Sequence, residues 1–489
     1  MARNRVIYQS QALYIAPSST GYHMQSGNQL GTTRSFNAYN NQNWTGVTGI
    51  IFNDGDGGDT LGVGNMIAYR SLIEPLHRVQ SCNFNFTINR QDINEFGKLS
   101  RIDSIVMESP TVGLDFNYYL TDGGNERKLG FNIPTTFFDR EGAAINQIAS
   151  TGDGCISGYS ALSGLIEDTQ GNNFFIVTSK EGTDVQGDTV TSSSADFDVI
   201  SVGNGFISDY TIEAAVGAIP NVNITIEAFN IRVDDLISGA VNGGITGNKV
   251  PGVDQNNGEQ VDINYNFDAG TLLTTGDATG IYGPAVTANP YADQITALRP
   301  GDITLEFFEN GGGAFSQSNY DGFADLDGDG KIHIQSFTVS IPMSRTILGR
   351  LGNTFGYARL IDLPLNIDVS ISAIVSELQS GNLFERLDKA NKQDFQLKLH
   401  RAGADGAQGD LAFQIDVKGA RLESESYSNA IGDNETVDIS FSTQLGGAND
   451  TLNGVFMNGT YPAWTTIPYW PLGAKKLDTA AFIGTVTAP

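Results

Sequence analysis

The stretch QSCNFNFTINRQDINEFG at residues 80–97 returns later in the chain as QSFTVSIPMSRTILGRLG at residues 335–352. The second stretch begins 255 positions after the first. Four residues are identical at that offset: Gln80 and Gln335, Ser81 and Ser336, Arg90 and Arg345, Gly97 and Gly352. Apolar positions coincide as well, with Cys82, Phe84, Phe86 and Ile88 matching Phe337, Val339, Ile341 and Met343. Solenoid repeats have periods of roughly 20–50 residues, so this much longer period predicts a duplicated domain.

Two further pairs of segments support the duplication. VGLDFNYY (112–119) corresponds to NIDVSISA (366–373), with the apolar residues again 255 positions apart. FISDYTIEAAVGAIPNVNITIEAF (206–229) aligns with RLESESYSNAIGDNETVDISFST (421–443) at an offset of 215. The first copy therefore carries 40 additional residues, which we place in an insertion within 122–200. We predict copies at 1–245 and 246–489, the second with a long N-terminal arm or insertion at 250–330.

The paired segments alternate apolar and polar residues, which predicts strands that each bury one face. The row from Cys82 to Ile88 is expected to face the core, and Gly97 and Gly352 are expected in turns that need a positive φ. Helical patterns are few, and we predict one short flanking helix per copy, at 156–168 and 380–394. The expected fold class is mainly β, with a sandwich-like or barrel-like core in each of two tandem copies.

Composition excludes several classes of protein. The 489-residue chain has 55 acidic and 28 basic residues and a formal charge of −27, which argues against a protein that grips DNA phosphates with Lys and Arg. Two cysteines make no disulfide framework. The first residues lack the apolar core of a signal peptide, and no window approaches the ~20 apolar residues of a membrane span. We therefore expect no membrane segment and assembly in a cytoplasm.

The side chains that alternate with the apolar rows are short and neutral or acidic, and none is Lys or Arg. In the first copy they are Asn83, Asn85, Asp115, Asn117, Asn223, Thr225 and Glu227; in the second, Thr338, Ser340, Asn366, Asp368, Ser370, Asp438, Ser440 and Ser442. Such a surface repels a phosphate backbone. The residues alone leave two interpretations open: the solvated face of an acidic protein, or a lining past which DNA slides without adhering.

The run RVQSCNFNFTINRQDINEFGKL, the segment PTVGLDFNYYL and the later SDYTIEAAVGAIPNVNITIEAF together resemble the major tail tube proteins of tailed bacteriophages. The second copy resembles them more loosely, in IQSFTVSIPMSRTILGRLG and DNETVDISFSTQL. The resemblance implies a structural virion protein with a β-sandwich or barrel-like core beside a helix. It also implies stacked rings whose inner sheets join into one β-barrel around a channel for DNA ejection.

The resemblance gives the duplication a purpose. Tail tubes are typically built with six domains per ring, so a chain with two such domains closes a pseudo-sixfold ring as a homotrimer. The expected partners are other copies of the chain, further tail proteins at the ends of the tube, and DNA that passes without specific binding. The long insertions favour a non-contractile tail, whose outer face is exposed.

The best metal pattern is DLDGDGKIHI at 325–334, in which Asp325, Asp327 and Asp329 occupy positions 1, 3 and 5 of a calcium loop. Position 12 is Ser336 rather than Glu, and a strand follows, so a solvated acidic turn is the alternative to a Ca²⁺ site. Arg90 and Arg345 either pair with acids at a subunit contact or cap a local turn. The sequence contains no nucleophile motif, phosphate-binding loop or dinucleotide fingerprint, and we expect neither an enzyme nor a cofactor.

Other functions stay open at this point. One is a different virion protein, such as a sheath or decoration protein. Another is a β-domain adhesin that binds calcium or glycans, which suits the Asp/Gly-rich loops. A third is a hydrolase acting on a host polymer, although no pair of carboxylates stands out for that role.

Overall fold

The structure is a computed structural model, and it describes only part of the chain. The described residues are 11–17, 74–133, 137–138, 144–146, 160–166, 171–178, 196–238, 251–254, 258–260, 298, 300–309, 324–325, 333–374, 377–378, 382–383, 392–402, 408–429, 434–448 and 450–459. Nearly all of them lie in strands or in the turns between strands, so the mainly β class is confirmed. No helix within these ranges is long and apolar enough to cross a membrane.

The helices and strands divide between the two halves of the chain. The first half contains β1 (Gln11–Pro17), β2 (Glu74–Pro75), β3 (Val79–Thr87), β4 (Arg90–Ile93), β5 (Asp103–Val106), β6 (Thr111–Tyr119), α1 (Gly124–Leu129), β7 (Phe137–Phe138), β8 (Ala144–Asn146), α2 (Ser163–Ile166), β9 (Asn172–Thr178), β10 (Asp196–Ala215), β11 (Asn221–Ala228) and β12 (Asn230–Ser238). The second half contains β13 (Val253–Asp254), β14 (Glu259–Gln260), a 3-10 turn (Pro300–Asp302), β15 (Ile303–Glu309), β16 (Ala324–Asp325), β17 (His333–Pro342), β18 (Arg345–Leu348), β19 (Ala358–Ile361), β20 (Leu365–Ile374), β21 (Glu377–Leu378), β22 (Gln393–Ala402), β23 (Gln408–Ser428), β24 (Thr436–Leu445) and β25 (Gly454–Gly459).

Eight strands form one antiparallel sheet in the order β3-β6-β11-β10-β17-β20-β24-β23, which we call the central sheet. The long strands β10 and β23 contribute their C-terminal parts, residues 206–215 and 421–428. The first four strands of this order come from the first half of the chain and the last four from the second. The two sets are joined by direct pairing of β10 with β17.

Strand pairing in the two halves follows the same register. Phe116 of β6 lies opposite Cys82 and Ile224, and its counterpart Ile371 of β20 lies opposite Phe337 and Ile439. The register shifts also recur at matching positions: Val79/Ser81 and Ile334/Ser336, and Ile207/Asp209 and Leu422/Ser424. Both the regular pairing and its irregularities are therefore repeated at the offsets of 255 and 215.

Each half also has a second layer. The N-terminal part of β10 belongs to a flanking sheet of order β1-β9-β10-β12, and the N-terminal part of β23 belongs to one of order β15-β22-β23-β25. Apolar side chains fill the space between layers: the rings of Phe116 and Phe174 are 6.1 Å apart, and those of Phe395 and Phe441 are 5.3 Å apart. Each half is thus a two-layer β-sandwich.

The helices differ from the sequence prediction. The four-residue helix α2 lies within the predicted range 156–168, but α1 was not predicted. Most of the second predicted helix, 380–394, lies outside the described residues. Its last two residues, Gln393 and Asp394, belong to strand β22, so the predicted range extends too far. The strand begins early because Asp394 accepts a hydrogen bond from the backbone of Gly419 at 2.7 Å on the neighbouring strand.

Strand β3 departs from its expected burial. The apolar row predicted to face the core is largely exposed, with Phe84 at 41%, Phe86 at 57% and Ile88 at 42%. Cys82, expected to be buried, is a half-buried free thiol. The reason is position: β3 is an end strand of the central sheet and pairs with β6 alone among the described strands.

Candidate functional site

The polar side chains predicted to share one face do lie side by side on the central sheet. Registered neighbours across the strands run from Ser81 through Asn117, Asn223, Thr211, Ser340 and Asp368 to Ser442. A second row joins Glu213, Thr338, Ser370 and Ser440. Directly opposed residues project to the same side of a sheet, so both halves contribute to one continuous surface, which we call the polar face.

Hydrogen bonds along and between strands order parts of this face. The Ser81 hydroxyl donates to Asn117 Oδ1 at 2.8 Å, and Gln444 Nε2 donates to Asn366 Oδ1 at 3.0 Å. The Thr211 hydroxyl donates to Asp209 Oδ2 at 3.1 Å. Partial burial raises the pKa of Asp209, and the Thr211 hydrogen bond opposes that shift. Short polar side chains of this face therefore bond to one another at three places.

The register adds residues to the polar face that sequence reasoning missed. They are Asp209, Thr211 and Glu213 on β10 and Arg421, Ser424 and Ser426 on β23. The signal was available, because DYTIE and SESYS alternate with the same period as the neighbouring strands. Arg421, opposite Ser442, corrects the expectation of a face without cations. It is the sole Lys or Arg in the described strand segments of the central sheet, and it lies on the end strand.

The two halves meet at a seam between β10 and β17. Seven pairs are in register from Asp209 opposite Pro342 to Ala215 opposite Ser336. On the polar face, Thr211 lies opposite Ser340. On the other face, Ile212 lies opposite Val339, and both side chains are buried. The alternation of polar and apolar rows thus continues across the seam without interruption.

An arginine clamp at the end of this seam fastens the hairpin β18–β19 to the first half. Arg345 Nε donates to the carbonyl of Ile207 at 3.0 Å, and its guanidinium lies 5.1 Å from the centre of the Phe206 ring. Arg359, fully buried, donates to Glu227 Oε2 at 3.1 Å and lies 4.7 Å from the centre of the Phe229 ring. The bonds that Arg345 donates to the carbonyls of Ile207 and Arg359 lie within one chain, so pairing with an acid at a contact between subunits stays a prediction. Glu227, predicted on the polar face, is the salt-bridge partner of Arg359 at the end of that face.

The corresponding hairpin of the first half, β4–β5, has the same register but is exposed. Arg90 lies opposite Val106 just as Arg345 lies opposite Ile361. Val106 is 37% exposed, whereas Ile361 is only 8% exposed. Gly97 and Gly352 have φ values of 94° and 86°, which confirms the prediction of positive-φ turns.

A buried carboxyl group lies beneath the central sheet, and sequence reasoning did not find it. Glu126 of α1 accepts hydrogen bonds at Oε1 from the hydroxyls of Tyr118, at 2.8 Å, and Tyr210, at 3.3 Å. Burial raises the pKa of Glu126 to about 7, although the hydrogen bond from Tyr118 opposes the shift. No sequence signal identified this cluster, because its members come from a helix and two separate strands.

The predicted calcium loop lies almost entirely outside the described residues. Asp327 and Asp329 are not described, and of Asp325 only the backbone is, in strand β16. Within the described ranges, no group of three or more His, Cys, Asp and Glu side chains could hold a metal ion. Metal binding at Asp325, Asp327 and Asp329 stays a prediction.

Comparisons with known proteins give weak similarities. No protein-family model and no curated protein matches the sequence. Among solved structures, the chain is similar to the SPP1 tail tube, at 10% identity and a TM-score of 0.19 over 32% of this chain and 77% of that one. It is also similar to an Hcp protein, at 14% identity and a TM-score of 0.19 over 32% of this chain and 98% of that one. A third similarity is to the anti-feeding prophage baseplate, at 10% identity and a TM-score of 0.20 over 32% of this chain and 93% of that one. TM-scores this low carry no argument about function.

Proposed function

We propose that this chain is a tail tube subunit of a phage-type particle, three copies of which close into a ring, and that stacked rings form a channel for DNA. The observation that carries the proposal is the repeated register of the two halves, joined side by side at the β10–β17 seam. Two equivalent units that pair in this way can continue to pair with further copies. A head-to-tail contact of this kind generates a ring when the rotation closes.

The ends of the central sheet support closure. Among the described strands, β3 and residues 421–428 of β23 each have a neighbour on one side only. An exposed strand edge carries unpaired backbone donors and acceptors and invites pairing with another chain, and a closed barrel removes such edges. Because each half is equivalent to the other, three chains supply the six units of a pseudo-sixfold ring.

The choice of inner surface follows from the layers. One face of the central sheet is covered by the flanking sheets and forms the core, so only the polar face is free to line a bore. Its exposed carboxylates include Asp115, Asp368 and Asp438. A lining with short acidic and neutral side chains repels phosphates and gives DNA few cationic contacts. We therefore assign the chain a structural role, with other tail proteins at the tube ends, a virion location and assembly in the host cytoplasm.

Imaging of the purified full-length chain tests this function. Electron microscopy is expected to show hollow rings or stacked tubes, with three chains per ring in a cryo-EM reconstruction. Native mass spectrometry of short assemblies should then give multiples of three chains. Monomers that persist at high protein concentration, or rings built from six chains, would overturn the proposal.

A further inference from the structure

The seam inside the chain specifies how one chain meets the next. In the β10–β17 seam, Asp209 lies opposite Pro342, Thr211 opposite Ser340 and Glu213 opposite Thr338. Strand β23 is the counterpart of β10 at an offset of 215, and β3 is the counterpart of β17 at an offset of 255. The register shifts recur at these same offsets, so the correspondence holds residue by residue.

We infer that β23 of one chain pairs antiparallel with β3 of a second copy, with Ser424 opposite Thr87, Ser426 opposite Asn85, and Ser428 opposite Asn83. Between these pairs, Tyr427 lies opposite Phe84 on the other face of the sheet. This inference rests on the proposed ring and adds to it the pair of strands and the register of the contact between chains. The open edge of β23 in one chain is thus covered by the open edge of β3 in a second, identical chain.

The side chains at the two edges match in this register. Tyr427 and Phe84 are exposed by 40% and 41%, although both lie on the face that is apolar elsewhere in the sheet. Opposed across the new seam, they form a cross-strand aromatic pair, an arrangement that stabilises antiparallel sheets. Glu425 lies opposite Phe86, and the Tyr427 hydroxyl donates to the Glu425 carboxylate. On the polar face, Ser424, Ser426 and Ser428 meet Thr87, Asn85 and Asn83, so no like charges oppose one another in these three pairs.

The hairpin β4–β5 gives a second, independent indication. It follows β3 directly. Its Val106 is 37% exposed, whereas the counterpart Ile361 is 8% exposed in β18–β19, the hairpin that contacts the first half through Arg345 and Arg359. Within the chain, the hairpin β18–β19 sits beside β17 and touches the unit paired with it. A copy of β23 seated on β3 therefore places a neighbour against β4–β5 as well. The free edge of β3 and the exposed face of β4–β5 therefore lie on the same side of the first half, and one partner chain covers both.

Disulfide crosslinking measures this register. In a Cys82→Ser/Cys155→Ser background, Asn85→Cys combined with Ser426→Cys places the cysteines directly opposite one another. The control combines Asn85→Cys with Ser428→Cys, a slip of two residues. Opposed residues have Cβ atoms ~5 Å apart and diagonal ones ~7–8 Å, beyond disulfide reach, so we expect about tenfold more crosslinked product from the first pair. That product should be a covalent trimer on a denaturing gel.

Different outcomes of this experiment distinguish a wrong register from a wrong proposed function. Rings that are visible by microscopy but crosslink through the slipped pair, or through neither pair, overturn the register and leave the tube function standing. If the wild-type chain forms no rings at all, the proposed function and the inference fall together. If only the Cys-free background fails to form rings, the same two cysteine pairs are compared in the wild-type background. Asn85, Ser426 and Ser428 are exposed on the end strands, so cysteine at these positions is expected to leave the fold intact.

Discussion

The Glu126 carboxyl group shows how strongly one buried residue depends on its neighbours. It is 1% exposed and is held by two tyrosine hydroxyls contributed by β6 and β10. Burial also raises the pKa of Tyr118 and Tyr210 well above the usual range, so both hydroxyls remain donors at any physiological pH. The carboxyl group is therefore the member of the cluster that titrates.

We predict that Glu126→Gln removes a pH dependence of stability. Because the folded-state pKa, about 7, is above the ordinary value of 4.5, the stabilisation is complete below pH 4.5 and is lost as the pH rises through 7. The wild type should lose roughly 3 kcal/mol of unfolding free energy over this interval that the glutamine variant keeps. Urea denaturation at pH 4.5 and pH 8 measures the difference. Glu95→Gln, at an exposed ion pair with Lys98, is the control and should behave as the wild type.

Some residue-level features could be predicted from the sequence and others could not. The turn glycines Gly97 and Gly352 were predictable because each follows a strand pattern at the same place in the repeat. Most polar-face residues were predictable from period-two alternation. The Glu126 cluster was not, since nothing local indicates that its carboxyl group meets Tyr118 and Tyr210. Arg421 was missed because it precedes the part of β23 where the alternation is evident.

Among the elements, the two hairpins share a register but have different surroundings. The hairpin β18–β19 has a partner within the chain and buries Arg359 and Ile361. In β4–β5, the corresponding Ser104 is half-buried and Val106 is exposed. The sequence repeat predicted two equivalent hairpins, and the backbone follows it. Burial could not be predicted from the repeat, because it depends on which strand lies next in the sheet. The same reason explains why the apolar row of β3 is exposed.

The arginine clamp predicts an asymmetric response to arginine substitutions in the two hairpins. Arg359→Ala removes the buried arginine of an ion pair with the partly exposed Glu227, together with two ring contacts, and should cost about 1–3 kcal/mol of unfolding free energy. Arg101→Ala breaks an exposed pair with Asp92 and should cost less than about 0.5 kcal/mol. Thermal or urea denaturation of the two variants measures both. Equal losses would contradict the clamp.

At the scale of the whole molecule, the proposed ring contains two kinds of seam. The seam within the chain is fastened by Arg345 and Arg359 on Phe206, Phe229 and Glu227. The matching positions at the seam between chains hold Arg90, Ser104, Arg421, Gln444 and Ser442, which supply neither the aromatic rings nor the carboxylate. We expect rings to open between chains first. The repeated strand register was predictable from the repeated segments of sequence, whereas the difference between seams required knowing which residues meet there.

The charge of the polar face predicts whether assembled tubes retain DNA. Asp368→Lys with Asp438→Lys places cations on that face, so tubes of this variant should retain duplex DNA, with retention that falls as salt rises. Asp198→Lys with Asp410→Lys, on the flanking sheets, changes the net charge equally and should leave the wild-type lack of retention unchanged. Co-sedimentation of tubes with labelled DNA over a salt series measures both. Equal retention by the two variants would mean that the polar face does not line the bore.

Strands β10 and β23 each run through both layers of their half, over 20 and 21 residues. Neither layer can slide along the other without breaking a continuous polypeptide segment. In the proposed tube, a pull on the outer layer would reach the inner layer along the strand axis, where it would load many backbone hydrogen bonds at once in shear. We therefore expect such a tube to bend as a single elastic wall.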